Sequence, residues 1–129
     1  MARYQFEIEI YEGEGGQLEK TGGRVVAPED RAQHGICAWM YCGDGERSYQ
    51  VGQRFVYPDE AGKLCPWLLS SMDGFLKTLM HDGDLPWTYA GTPYEKVMDP
   101  QGVTTEFVRC PDPTASGIVV KITRTRLPD

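Results

Sequence analysis

Between Pro66 and His81 the apolar residues Leu68, Leu69, Met72, Phe75, Leu76, Leu79 and Met80 recur at steps of three and four. Ser70, Ser71, Asp73, Gly74, Lys77 and Thr78 take the remaining positions. This spacing draws one apolar stripe along a helix with a wet opposite side. Such a stripe has to be covered, and a sheet is the cover the rest of the chain offers. Pro66 suits the first helical position, where its missing N–H costs nothing. Gly83 is placed to stop the helix.

The flanking segments read as strands. Tyr4, Phe6, Ile8 and Ile10 alternate with Gln5, Glu7, Glu9 and Tyr11, the period of a half-buried strand. Ser48 to Tyr57 carries Tyr49, Val51, Phe55 and Tyr57 on a similar pattern, with Gly52 marking a bulge or a close backbone approach. Gly102 to Cys110 is rich in Val and Thr, and Ile118, Val120 and Ile122 form the inward side of a last strand, with a turn around Asp112 between them. Residues 12 to 47 are glycine-rich at first and then irregular, with short apolar pieces at 24–27 and 35–41. The order is strands, helix, strands, without βαβ alternation. The expected fold is therefore α+β, a mainly antiparallel sheet of about four to six strands with the helix of residues 66 to 80 packed on it.

At 129 residues the chain fits a single domain spanning 1–129, large enough to hold a core without disulfide or metal staples. The excess of 19 acidic over 13 basic residues gives a net charge of −6, which disfavours a broad nucleic-acid surface. The one basic cluster is Lys121, Arg124 and Arg126; Lys121 shares a strand face with Thr123 and Thr125, the two arginines take the other, and all three read as solvated charges. The first residues run straight into a strand, and no apolar run approaches the roughly 20 residues that span a bilayer. The expected location is the cytoplasm, where cysteines stay reduced.

There are four cysteines, Cys37, Cys42, Cys65 and Cys110, and no C-x-x-C pair. Three readings stand side by side. The thiols are small buried hydrophobes, or they converge on zinc or iron, or one of them reacts. Cys65 and Cys110 each precede a proline. Cys65 also lies at the helix N-terminus, where helix-end N–H groups favour a thiolate. A Cys–His pair would have to join Cys65 to His34, since His81 is at the far end of the helix, about 24 Å away. A second feature is the connection from Asp84 to Lys96, whose Trp87, Tyr89 and Tyr94 either cover a sheet edge or line a pocket or partner surface.

The run Tyr49-x-Val51-Gly52-x-x-Phe55, then Cys65-Pro66-Trp67, the helix to Gly83, and Cys110-Pro111-Asp112 ahead of Val119-Val120-Lys121-Ile122-x-Arg124 resembles an uncharacterised repeat family of small prokaryotic proteins, over roughly residues 40 to 125. Members of that family often carry a Gly-His pair before a Val-Gly-Asp turn; here the positions read Ser48-Tyr49 and Val51-Gly52-Gln53. The resemblance implies a compact domain with recurring cysteines and brings no activity.

The reading that follows is an accessory or binding protein with a soft-metal site for zinc or iron on Cys65, Cys110, Cys42 and Cys37. The alternatives are a thiol enzyme using Cys65, and a protein-interaction or homodimer module built on the Trp87–Tyr94 loop, with Trp67, Trp87, Tyr89, Tyr94 and Asp112 as its contact residues. Neither nucleic acid nor membrane is an expected partner.

Overall fold

A computed structural model describes residues 3–12, 51–111 and 118–128. The expected short strand at 24–27, the apolar stretch at 35–41 and the turn at Asp112 lie outside the described residues. Among the described residues four strands form one sheet: β1 (Tyr4–Glu12), β2 (Arg54–Tyr57), β3 (Val103–Arg109) and β4 (Val119–Arg126). The order across the sheet is β2-β1-β4-β3 and every pairing is antiparallel. The single α-helix among the described residues, α1 (Pro66–Met80), covers one side. The expected α+β architecture is the one observed.

The alternation of β1 decides which side is covered. Phe6, Ile8 and Ile10 are buried, and the register sets them against Arg124, Ile122 and Val120 of β4. Phe55 of β2 and Val108 of β3 extend the same side. Leu68, Met72, Leu76 and Leu79 of α1 close over it, with Leu69 and Phe75 packed at the margin. Burying those four side chains contributes on the order of 10 kcal/mol before conformational entropy is set against it. Met80, the last residue of α1, is exposed and does not join the buried stripe that the spacing assigned it to.

Both helix ends follow local rules. Cys65 is the N-cap and Pro66 the first helical residue. At the other end the chain leaves the helix through Asp82, whose φ of 66° is the left-handed conformation that glycine more often supplies. Gly83 is required for another reason. Its N–H reaches the Thr78 carbonyl at 2.9 Å, so close that a Cβ there would meet that oxygen and the Thr78 methyl at 3.0 Å.

Arg124 corrects the expectation of a solvated charge. It is 2% exposed, because its register opposite Phe6 and Thr104 aims it beneath the end of α1. Nη1 donates to the carbonyls of Leu79 and Gly83 at 2.8 and 3.0 Å, and Nη2 donates to the Thr104 hydroxyl at 3.2 Å. The Tyr4 ring lies 4.5 Å from the guanidinium carbon. The terminal carbonyls of a helix attract a cation, and here the cation comes from the sheet.

Of the expected strand over Ser48–Tyr57, residues 48–50 lie outside the described residues, and of the remainder β2 takes Arg54–Tyr57. Val51 and Gly52 form a turn, and Gly52 has φ of 94°, a conformation that suits only glycine comfortably. The outer edge of β2 is occupied by its own continuation: Glu60 accepts the Val56 N–H on Oε1 at 2.9 Å, and the Glu60 N–H bonds the Val56 carbonyl at 2.7 Å. At the opposite edge of the sheet, residues 96 to 98 run beside β3. Thr105 N–H bonds the Val97 carbonyl at 2.8 Å, and Met98 bridges to Thr104.

Candidate functional site

The sheet side away from α1 carries the site. Phe107 and Arg109 alternate with the buried Glu106 and Val108, so they emerge on this open side. On β1 a bulge after Ile10 sets two residues against one of β4. A bulge redirects side chains, and its effect here is that the consecutive Tyr11 and Glu12 reach the same place. Tyr11 meets Phe107 at 4.8 Å between ring centroids, while Glu12 approaches Arg109 at 3.9 Å. The loop before residue 96 then crosses above. Tyr94 packs edge-on against Phe107 at 5.6 Å and beside Tyr11 at 6.0 Å. Among the described residues, Tyr89, Thr92, Tyr94, Phe107, Arg109 and Val119 enclose an open cleft of about 240 Å³.

The loop is braced from within. Gly91 N–H bonds Glu95 Oε1 at 2.8 Å, and Lys96 N–H bonds the Thr88 carbonyl at 2.9 Å. The Thr92 hydroxyl donates to the Tyr89 carbonyl at 2.7 Å and accepts the Tyr94 N–H at 3.1 Å. Tyr89 has φ of 53°, held by these contacts in a region that few side-chain-bearing residues visit. Its base is an ion pair sealed from solvent: Lys96 Nζ lies 2.7 Å from Glu106 Oε2, and the two side chains are 1% and 3% exposed. The same ammonium donates to the Leu85 carbonyl at 2.9 Å and sits 5.4 Å from the Tyr89 ring centroid.

Two phenols tie the loop to β1. Tyr11 donates to the Pro93 carbonyl at 2.6 Å, and Tyr94 donates to Glu12 Oε2. That bond to Glu12, with burial adding to it, pushes the Tyr94 phenol above its ordinary pKa, while Arg109 opposes the rise. Tyr94 is therefore a fixed hydrogen-bond donor at neutral pH.

Of the residues singled out from sequence, Tyr89 and Tyr94 line the cleft. Trp87 and Trp67 are exposed, 62% and 49%, and neither lines it. Asp112, Cys37 and Cys42 lie outside the described residues. Cys110 belongs to the core beneath α1, and Cys65 packs against that same core. Among the described residues no group of three or more His, Cys, Asp or Glu is placed to hold a metal. Phe107, Arg109, Tyr11 and Glu12 were not singled out. The alternation of β3 could have marked Phe107 and Arg109 as outward-facing, but only the pairing of distant strands brings them to Tyr94.

A second concavity, about 280 Å³, is lined by Tyr4, Phe6, Tyr57, Pro58 and Met80. Its walls are hydrocarbon and aromatic, so it offers a ligand little beyond packing. No helix among the described residues is long and apolar enough to cross a membrane. Compared with family models, curated proteins and solved structures, the chain finds no match in any of the three, so the family resemblance stays an expectation.

Proposed function

We propose that this chain is a cytoplasmic binding module whose ligand occupies the cleft between the 88–96 loop and the outer ends of β3 and β4. The observation that carries the reading is the convergence of three aromatic rings and one guanidinium on a concavity whose loop is already braced. Sites of this kind are concave, mostly apolar and largely formed before the ligand arrives. A prebuilt site avoids the ordering cost that weakens flexible ones. The test is a screen of small aromatic fragments by side-chain NMR. Saturable shifts confined to Tyr89, Tyr94, Phe107 and Arg109 are the expected result. A screen in which no fragment moves these signals saturably would count against the module.

A second reading has its own support. Cys65 and Cys110 touch one core on one side of the sheet, as a soft-metal site for zinc or iron completed by Cys42 or Cys37 would need. Metal quantitation on protein purified without oxygen tests it. Stoichiometric metal that is lost in Cys110→Ser supports the site. Protein without metal, in which Cys65 alone alkylates rapidly, favours a thiol enzyme instead.

A further inference from the structure

We infer that the ligand of the cleft is a planar anion of one aromatic ring, an aryl carboxylate or aryl phosphate, with its charge on Arg109. The inference rests on the binding-module reading and adds the chemical class. Size is the first argument. A cleft of about 240 Å³ falls below the roughly 300–1,000 Å³ usual for drug-sized ligands, so it suits one ring and its substituent.

The walls give the second argument. Phe107 and Tyr94 already meet edge to face, and an inserted ring can continue that packing. The third argument is elimination among polar groups. The Thr92 hydroxyl is engaged by Tyr89 and Tyr94, the Tyr94 phenol by Glu12, the Tyr11 phenol by Pro93, and the Lys96 ammonium by Glu106 and Leu85. Among the described residues two polar groups face the cleft with capacity to spare, the neutral Tyr89 phenol and the Arg109 guanidinium, which also reaches the Tyr94 phenol; only the guanidinium brings a charge. Its side chain is 52% exposed and its ion pair with Glu12 is long, at 3.9 Å. A guanidinium presents five N–H groups in a fork that fits carboxylate and phosphate oxygens. A ligand that satisfies them must bring acceptors. Among the described residues Glu12 is the carboxylate paired with Arg109 and so opposes an anion here, and its second oxygen is occupied by Tyr94.

The experiment titrates the whole chain, followed by side-chain NMR, with four probes of matched shape: benzoate, phenyl phosphate, benzyl alcohol and benzylamine. Benzoate and phenyl phosphate should bind saturably, at least about tenfold tighter than benzyl alcohol, the worth of one charge-assisted hydrogen bond. The tighter of the two names the headgroup. Arg109→Gln should weaken both anions by about tenfold. Glu12→Gln, which keeps an acceptor for Tyr94, should tighten them.

If benzyl alcohol or benzylamine matches benzoate, or if Arg109→Gln leaves benzoate unchanged, the anion assignment fails while the cleft remains a binding site. If none of the four binds saturably, the assignment and the proposed module fail together. Shifts produced by concentrating the protein alone would give the cleft to a second copy and overturn the assignment.

Discussion

Among the described residues the buried cations Lys96 and Arg124 are held in opposite ways. Arg124 is met by dipoles, the carbonyls of Leu79 in α1 and of Gly83 just after it, and so fixes the helix end to the sheet. Lys96 is balanced by a full charge on Glu106. A buried pair gives little net stability relative to apolar replacements, but removing one partner strands the other. Lys96→Met should therefore cost about 3–5 kcal/mol in urea unfolding, and Lys96→Met/Glu106→Leu should recover most of that loss. A single variant costing under about 1 kcal/mol would show that water reaches Glu106. Because the same ammonium lies under Tyr89, the double variant should also loosen the 88–96 loop. Neither burial is readable from sequence. A lone Lys or Arg is exposed by default, and only strand register and the path of a distant loop decide otherwise.

At the scale of elements, α1 was legible almost to the residue. Its signals are local: a 3.6-residue stripe and a proline at the first position. β1, β3 and β4 were legible for the same reason, through alternation. The start of β2 was not legible, because Val51 continues the alternation while the positive φ of Gly52 makes a turn there. What remained hidden at this scale is the protection of β2. An unpaired strand edge invites pairing with other chains, and Glu60 occupies this one by accepting the Val56 N–H. Its carboxyl is held below the ordinary carboxylate range, chiefly by the Lys63 ammonium at 2.8 Å and then by the Val56 N–H. A depressed folded-state pKa means that the group stabilises the fold above its unfolded pKa and loses that contribution as pH falls through the folded one. The Val56 amide shift should follow this titration with a midpoint below 4.5, the ordinary value for Glu60, and Glu60→Gln should abolish it. An unshifted midpoint, or a Val56 amide indifferent to acid, would remove Glu60 from the role of edge guard.

For the molecule as a whole, the fold class could be read because each element announces itself locally, whereas the cleft could not. Tyr94 and Tyr89 were visible as an aromatic loop. Their companions Tyr11, Glu12, Phe107 and Arg109 come from strands that meet only once the order β2-β1-β4-β3 is set, and Glu12 arrives through a bulge that leaves no mark on the alternation. That strand order has a consequence for how the chain is made. β1 and β4 are the inner pair, with Tyr4 opposite Arg126 and the Leu127 N–H on the Arg3 carbonyl at 2.9 Å. Without β4 the sheet falls into a β1–β2 pair and a separate β3, and an isolated pair of strands is marginal in water. A chain ended after Pro111 should show no cooperative unfolding transition by circular dichroism, and a sharp transition would mean that α1 and the other strands suffice. During synthesis β1 emerges first and waits through nearly the entire chain for its central neighbour, since loop closure over such a separation precedes any reward in contacts. α1 and β2 are made earlier and can already lie against Phe6, Ile8 and Ile10, so what the nascent β1 lacks until residues 119–126 are made is a partner for one of its two backbone edges, the kind of edge that invites pairing with another chain.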